Sequence, residues 1–390
     1  MNDLFDKKFS LKTLEVFSSY GIFIALSFLT QIFSVKLFST DISKLYMYLL
    51  AIYGWGSFLG EAGFSRYNVS TVKFDQSLLY KIYIKKFFFY FFLIIVGYFL
   101  FFNVFNIINF IGFISLIILF LFSSFFLPSD ILKKGFNKSS YIPNIVFVVT
   151  LFFSFMLYSY SKLDINIILI NSVIISTIIF YSLFIKIYKK INYNYINFNI
   201  FKFNNSRIKN LNLVSYLGAS IGICFFLIIG SVNENSIYLL LIRMSEGSNS
   251  IFSLLALMCI RNNILYKWRN IILLSTLPII SLSLITFFLL LFDKTINFYE
   301  ILMPILIYIL VQTSGTFIGS SLSQFKKENY FNILIKFNFL RLILSIFILL
   351  LVKVTNITIF HLNTYIYLMA FLNLIPLIIL TKISYNLSTR

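Results

Sequence analysis

The sequence predicts an all-α polytopic membrane protein with about twelve transmembrane helices in two six-helix lobes. Hydrophobic residues make up 59% of the 390 residues and charged residues only 12%, whereas a soluble domain carries roughly 25% charged residues. The apolar residues fall in runs of the length that a helix needs to cross the bilayer core, about 20 residues. Lysine and arginine are concentrated in every second loop between these runs, as expected for a chain that crosses a membrane repeatedly.

The spans are predicted to be helices because transmembrane strands would be about 10 residues long with alternating polarity. The predicted spans cover residues 16–37, 45–64, 87–105, 107–128, 143–161, 165–186, 211–231, 236–259, 270–292, 299–322, 337–356 and 359–381.

The placement of the basic residues predicts the side that each loop faces. The even-numbered loops and both termini are rich in Lys and Arg, and the odd-numbered loops hold only Lys36, Lys44, Lys162, Lys294 and Lys353. Because loops retained in the cytoplasm carry an excess of Lys and Arg, both termini are predicted to lie in the cytoplasm and the chain in the cytoplasmic (inner) membrane. The net charge of +19 then belongs to a face next to anionic membrane lipids, which removes the support for a nucleic-acid partner.

The longest loop inside the chain divides it near its middle. The predicted domains are an N-terminal six-helix lobe (1–190), a basic cytoplasmic linker (191–210) and a C-terminal six-helix lobe (211–390). Since six is an even number, both lobes begin on the same side and would be parallel repeats. A weak similarity between residues 38–52 and 230–244, which pairs Tyr46 with Tyr238, favours such a repeat.

The eighth span carries charged and polar residues at membrane depth. Arg243 and Glu246 are three residues apart, so they share one helical face, and Asn249, which lies near them in the sequence, is a candidate for lining a cavity. Arg243 is predicted to lie about 10 Å below the outer surface. Charged residues in spans face protein or water because lipid excludes them. Two interpretations stay open: an ion pair that fixes helix packing, or a cationic site for an anionic solute in which Glu246 tunes Arg243.

Other charged residues lie near the ends of spans. Glu61, near the cytoplasmic edge of the second span, is deep enough to be a functional candidate. Lys36, at the outer end of the first span, either snorkels or faces a cavity. Arg341 is predicted to snorkel to the inner interface.

Two spans carry uncharged polar residues on one face. The first has Ser27 and Gln31 in a stripe with Thr30 and Ser34, and the tenth has Gln312 before a run of Ser and Thr. These residues either line a cavity or form hydrogen bonds with a neighbouring helix.

The sequence contains no arrangement typical of catalysis or of metal binding. The single histidine, His361, lies at the outer end of the last span, and the two cysteines, Cys224 and Cys259, lie in apolar runs. There is no phosphate-binding loop of the Walker type. No catalytic residue, metal site or cofactor is therefore predicted, and we expect a protein that is not an enzyme.

Four segments resemble a known family. They are FSVKLFST at the end of the first span, GSFLGEAGFSR at the end of the second, IIGSVNENSIYLLLIRMSEGSNSIFSLL across the seventh and eighth, and ILMPILIYILVQTSGTFIGSSLSQFKKENYF across the tenth and eleventh. They are similar to the Wzx-type polysaccharide or O-antigen unit flippases of the multidrug/oligosaccharidyl-lipid/polysaccharide (MOP) exporter superfamily. Lys36, Glu61–Gly63, Tyr238 and Arg243 stand at matching positions.

The resemblance implies a flippase in which the two lobes enclose a hydrated central cavity that opens alternately to each side. The substrate would be an undecaprenyl-pyrophosphate-linked glycan, a repeat unit of a surface polysaccharide such as capsule or lipopolysaccharide. Membrane lipids and other polysaccharide-assembly proteins would be the partners. Arg243 and Lys36 would contact the anion, because arginine suits phosphate, and Glu246 and Glu61 would act in coupling or gating. The sequence leaves coupling to H⁺ or Na⁺ open.

Three other functions compete with the flippase interpretation. A multidrug or small-metabolite exporter of the same superfamily is the main alternative, although a cation exporter should carry carboxylates that lack a basic neighbour. A membrane-embedded glycan polymerase or glycosyltransferase should have a large external loop with catalytic residues, which is absent from the sequence. A structural scaffold would not need polar residues at mid-depth.

Overall fold

The computed structural model describes residues 22, 25–40, 42–44, 46–47, 50, 142–161, 178, 206–232, 236–261, 263–292, 303–354 and 359–389. The regular structure in these residues is helical. The longer helices are Ala25–Leu37 (α1), Ile142–Ser161 (α2), Ser206–Val232 (α3), Ser236–Arg261 (α4), Trp268–Phe292 (α5), Met303–Gln324 (α6), Phe331–Val354 (α7) and Ile359–Ser388 (α8). The third and fourth predicted spans, and most of the second and sixth, lie outside the described residues.

Helices α3 to α8 correspond to the six spans predicted for the C-terminal lobe, but several are longer than predicted. Helix α3 begins at Ser206, inside the segment predicted as a linker, and α7 begins at Phe331 instead of residue 337. Helix α8 continues past Pro376 to Ser388. The predicted bounds mark where the apolar run stops, whereas backbone hydrogen bonds continue the helix into the polar interface.

The exposed surface of the helices has the character of a membrane protein. Among the described residues, four segments are long and apolar enough to cross a bilayer: Lys209–Ser231, Met303–Gln324, Glu328–Val352 and His361–Ser388. On α7, Phe347 and Leu350 are more than half exposed, while Arg341 on the opposite face is buried. Apolar side chains outside and polar ones inside suit a lipid environment, so the predicted fold class, an all-α polytopic membrane protein, is confirmed.

The described residues fall into two compact units. The N-terminal unit contains α1, the short helical stretch that follows it, and α2. Its core is aromatic: the buried ring of Tyr46 contacts the rings of Phe38 and Phe155, with centroids 6.3 and 5.3 Å away. These edge-to-face contacts pack the stretch after α1 against α2.

The C-terminal unit contains α3 to α8. Its most extensive contacts join α3 to α7 and α6 to α8. Helices α6 and α8 approach closely at Gly315, where an added Cβ would lie 3.2 Å from Cδ1 of Leu377. A buried apolar cluster that includes Leu255, Phe317 and Phe331 fills the space between the helices near their connecting turns.

The turns 263–267 and 325–330 lie side by side at one end of the C-terminal unit, named here the turn end. The backbone N–H of Leu265 donates to Oε1 of Gln324 at 3.1 Å. The side chain of Asn210, near the start of α3, donates to the carbonyl of Glu328 at 3.3 Å. These hydrogen bonds satisfy backbone groups that the helix ends leave without partners, and they connect the ends of α3 to α7 that meet there.

Candidate functional site

Arg243, the principal candidate, lies on α4 and is half-buried. Its Nε is buried from solvent. The side chain therefore lies partly inside a helix bundle whose surface is apolar. A guanidinium keeps its charge at any physiological pH, so α4 carries a permanent positive charge within the C-terminal unit.

Asn249, predicted to line a cavity, connects α4 to α6. Its Oδ1 accepts a hydrogen bond of 3.0 Å from the hydroxyl of Thr316. Gln312 lies one turn earlier on α6 and is half-buried. Thr316, in the polar run of the predicted tenth span, thus forms a hydrogen bond with a neighbouring helix, which is one of the two roles predicted for this run.

The candidates on α1 differ in exposure. Lys36 is exposed near the end of the helix. Ser27 and Gln31 are buried, and Nε2 of Gln31 donates to the carbonyl and the hydroxyl of Ser27 at 2.8 and 3.0 Å. Their side chains bond within their own helix, and a role in lining a cavity stays a prediction. Glu61 and the side chains of Glu246 and Tyr238 lie outside the described residues.

Arg341 is not at the interface, and the prediction that it snorkels is wrong. The residue is only 4% exposed. Its Nη1 donates to Oδ1 of Asn338 and to Oδ1 of Asn373 on α8, both at 3.1 Å. Its Nη2 donates to the hydroxyl of Tyr308 on α6 at 3.2 Å. Hydrogen bonds from two neighbouring helices hold the guanidinium inside the unit, so it does not reach toward water.

The side chains around Arg341 also connect it to α3, a fourth helix. The ring of Tyr308 stacks on Phe225 of α3 with centroids 4.1 Å apart, and the Arg341 guanidinium carbon lies 5.8 Å from the Tyr308 centroid. One turn along α7, the hydroxyl of Ser345 is 2.9 Å from that of Tyr365 on α8. This arrangement, named here the Arg341 cluster, joins α3, α6, α7 and α8.

The sequence contained a signal for this cluster. Asn338, Arg341 and Ser345 are spaced three and four residues apart, so they form one polar stripe on a helix. The residues between them are apolar, and Phe339 and Ile343 among them are more than half exposed. A polar stripe on an otherwise lipid-facing helix indicates that the stripe is buried against other helices. The prediction that Arg341 snorkels used only its distance from the end of the predicted span and missed this stripe.

The described His and Cys side chains lie apart from the residues discussed above. His361 is exposed on the first turn of α8, and Cys224 and Cys259 are free thiols. Within the part of the chain that the structure describes, three or more His, Cys, Asp or Glu side chains never come together in an arrangement that could hold a metal ion.

Comparison with known proteins gives one structural likeness. No family model matches the chain, and no curated protein matches it. The chain is similar to a solved structure described as "Crystal structure of MATE in complex with MaL6", with 12% sequence identity and a TM-score of 0.43. The match covers 98% of this chain and 97% of that one.

Proposed function

We propose that this chain is a transporter, not an enzyme, that moves an anionic lipid-linked oligosaccharide across the cytoplasmic membrane by alternating access. The observation that carries the proposal is the half-buried guanidinium of Arg243 on a helix of a lipid-facing bundle. A cation at membrane depth is energetically costly, and it marks a substrate path by default. Arginine binds phosphate oxygens with paired, charge-assisted hydrogen bonds.

The resemblance to polysaccharide-unit flippases supplies the substrate class. The proposed substrate is an undecaprenyl-pyrophosphate-linked glycan whose lipid tail stays in the bilayer while the pyrophosphate and sugars cross. Arg243 and Lys36 are proposed to contact the pyrophosphate. In this proposal Glu246 and Glu61 act in coupling or gating, with H⁺ or Na⁺ as the driving ion, and Gln31, Ser27, Asn249 and Gln312 line the path.

Lys36 ranks below Arg243 as an anion contact. Lys36 is exposed, so water screens its charge. The charge of Arg243 is partly removed from water, and an electrostatic contact there is stronger. We therefore expect loss of Arg243 to weaken substrate binding more than loss of Lys36.

The alternative is a multidrug or small-metabolite exporter of the same superfamily. Arg243 argues against a cationic drug as the substrate, since its charge would repel one. A small organic anion remains compatible with Arg243. A test for a changed drug sensitivity alongside the glycan assay separates these two functions.

The test is the Arg243→Ala variant in the native cell, scored for surface polysaccharide and for protein level in the membrane. Losing a charge-assisted contact of about 1.5–3 kcal/mol should lower transport about 10- to 100-fold. Arg269→Ala, which removes an exposed arginine from α5, is the matched control and should leave surface glycan unchanged.

Three results would count against the proposal or a part of it. Normal surface glycan at a normal level of the Arg243→Ala protein would remove this residue from the transport path. A defect larger in Lys36→Ala than in Arg243→Ala would reverse the proposed ranking. Unchanged glycan together with accumulation of a drug or metabolite in cells lacking the protein would favour the exporter.

A further inference from the structure

The turn end of the C-terminal unit collects positive charge from three segments of the chain. The hydrogen bonds of Leu265 and Asn210 hold the start of α3 and the two turns against one another. The ring of Tyr266 also meets that of Phe325 edge to face, with centroids 5.0 Å apart. Each segment carries exposed lysines beside these contacts, and together they are named here the lysine patch: Lys209, Lys267, Lys326 and Lys327. The fold thus gathers cations that lie far apart in the sequence.

The surface around the lysine patch has the composition of a membrane interface. The three segments contain one acidic residue, Glu328, and it is 0% exposed, so its carboxylate does not lie on the surface that a ligand meets. Tyr266 and Tyr330 accompany the lysines and are 43 and 40% exposed. Tyrosine is enriched at the level of the lipid headgroups, and lysine at that level attracts anionic lipid.

The lysine patch also lies where the apolar spans stop. Met303–Gln324 ends and Glu328–Val352 begins at the turn 325–330, and Lys209–Ser231 begins at the patch itself. Since apolar spans fill the hydrocarbon core of the bilayer, their ends reach the headgroup layer. Lipid headgroups are therefore the anions that this surface meets in a membrane.

Lys326 occupies a backbone conformation that lysine rarely adopts. Its φ is 58°, in the left-handed region. The N–H groups of Lys326 and Lys327 donate to the carbonyls of Ser323 and Leu322 at 3.1 and 2.9 Å, a pattern in which glycine or asparagine usually follows the helix. Asn263, after α4, has the same φ and is of a residue type that tolerates it. The lysine after α6 has a conformational cost that asparagine would reduce, which indicates a use for its charge.

We propose that the lysine patch binds the headgroups of anionic phospholipids in the adjoining leaflet, and that the bound lipid stabilises the packed helix ends. A phosphate group held by lysines of two segments adds a bridge between them. Phosphatidylcholine should bind more weakly, because its choline group carries a compensating positive charge. The inference is independent of the solute that the protein transports, so the glycan assay does not test it.

The experiment measures the melting temperature of the purified full-length protein in detergent during titration with dioleoylphosphatidylglycerol. Lipid that binds the native state should raise the melting temperature saturably, by about 2–4 °C or more. Equal amounts of dioleoylphosphatidylcholine should give little rise. Soluble glycerophosphate carries the charged group without the tails that hold a lipid against apolar helix surface, and it should give none.

The double variant Lys326→Asn/Lys327→Gln removes half of the lysine patch. Each basic residue near an anionic surface strengthens attachment about fivefold, so this variant should need about 25-fold more phosphatidylglycerol for half of the rise. The matched control is Lys336→Gln/Lys382→Gln, which removes two exposed cations from the sides of α7 and α8. It should keep the half-maximal lipid concentration of the wild type.

Lys326→Asn alone separates the lipid contact from an effect on the fold. Asparagine tolerates the left-handed conformation, so without lipid this variant should melt at least as high as the wild type. Its response to phosphatidylglycerol should nevertheless need about fivefold more lipid. A residue with a structural role alone would not combine unchanged stability with a weaker lipid response.

The proposal fails if phosphatidylglycerol gives no saturable rise, if phosphatidylcholine or glycerophosphate reproduces the rise, or if the double variant responds like the wild type. An equal loss in the double variant and in its control also contradicts the proposal, because the whole positive face would then attract lipid without a defined patch.

Discussion

Helices α1 and α7 bury polar side chains in two different ways. Both helices expose apolar residues, such as Phe33 on α1 and Phe347 on α7. On α1, Thr30 and Gln31 donate to the carbonyl of Ser27 in the same helix. On α7, Arg341 bonds to side chains of α6 and α8. Hydroxyl and amide groups can be satisfied by their own helix, but a guanidinium with five donors needs neighbours.

The difference implies that the two stripes contribute unequally to stability. Hydrogen bonds that stay within one helix survive when that helix separates from its neighbours, so they add little to helix association. Hydrogen bonds between helices are lost on separation, and in membranes they contribute about 0.6 kcal/mol on average and up to about 1.7. Substitutions in the Arg341 cluster should therefore be more harmful than those on α1.

Arg341→Met should have the largest effect. It leaves three buried acceptors without their donor, at about 1–3 kcal/mol each, and removing the buried charge offsets part of that loss. We expect the free energy of unfolding in detergent to fall by about 2–4 kcal/mol. Lys336→Met, which removes an exposed cation from α7, is the control and should change it little. A variant as stable as the wild type would show that the cluster does not hold the helices together.

Tyr308→Phe should have an intermediate effect. It removes the hydroxyl that accepts from Nη2 of Arg341 and keeps the ring that stacks on Phe225. We expect a loss of about 1–2 kcal/mol in the free energy of unfolding. Tyr367→Phe changes an exposed tyrosine on α8 and should be neutral. Equal losses in the two variants would mean that the hydroxyl bond to Arg341 contributes nothing specific.

Thr316→Val should be weaker still. It removes one neutral hydrogen bond between α6 and Asn249 of α4, for which we expect a loss of about 0.5–1 kcal/mol. Thr276→Val is the matched control, because the hydroxyl of Thr276 is exposed and donates to the carbonyl of Leu273 in its own helix. A larger loss in Thr276→Val than in Thr316→Val would contradict the distinction between local and interhelical bonds.

Gln31→Leu should have the smallest effect. The amide of Gln31 bonds to Ser27 in the same helix, and its Oε1 is buried without a hydrogen-bond partner among the described residues. Replacing that amide by a side chain of similar volume should change the free energy of unfolding by less than about 0.5 kcal/mol. Thermal unfolding in detergent measures this. A loss above about 1.5 kcal/mol would place Gln31 in an interhelical contact and would erase the contrast with α7.

The helices of the C-terminal unit were predictable because each is a long apolar run. Such a run gives the position and length of a helix along the chain. Predicting which way a side chain points requires the position around the helix as well. Arg341 was assigned to the interface from its depth alone, although Asn338 and Ser345 mark the same buried face. The partners Tyr308 and Asn373 come from other helices, and no local pattern pairs α7 with α6 and α8.

The sequence identified candidate residues for the site but not the contacts between them. Arg243 stood out because a charge in an apolar run is rare, and the structure places it half-buried on α4. The hydrogen bond between Asn249 and Thr316 depends on the packing of α4 against α6. Such packing is fixed by the fit of side chains over whole helix faces, which a single sequence does not display.

The hydrogen bonds at the turn end also limit how the C-terminal unit can move. Leu265 is bonded to Gln324, and Asn210 to Glu328, so the helices that meet there share a common anchor. A helix that tilts about this anchor displaces its own far end most, and for the 24 residues of α7 that end lies about 36 Å away. Small rotations near the anchor are thereby converted into wide displacements at the opposite end of the bundle.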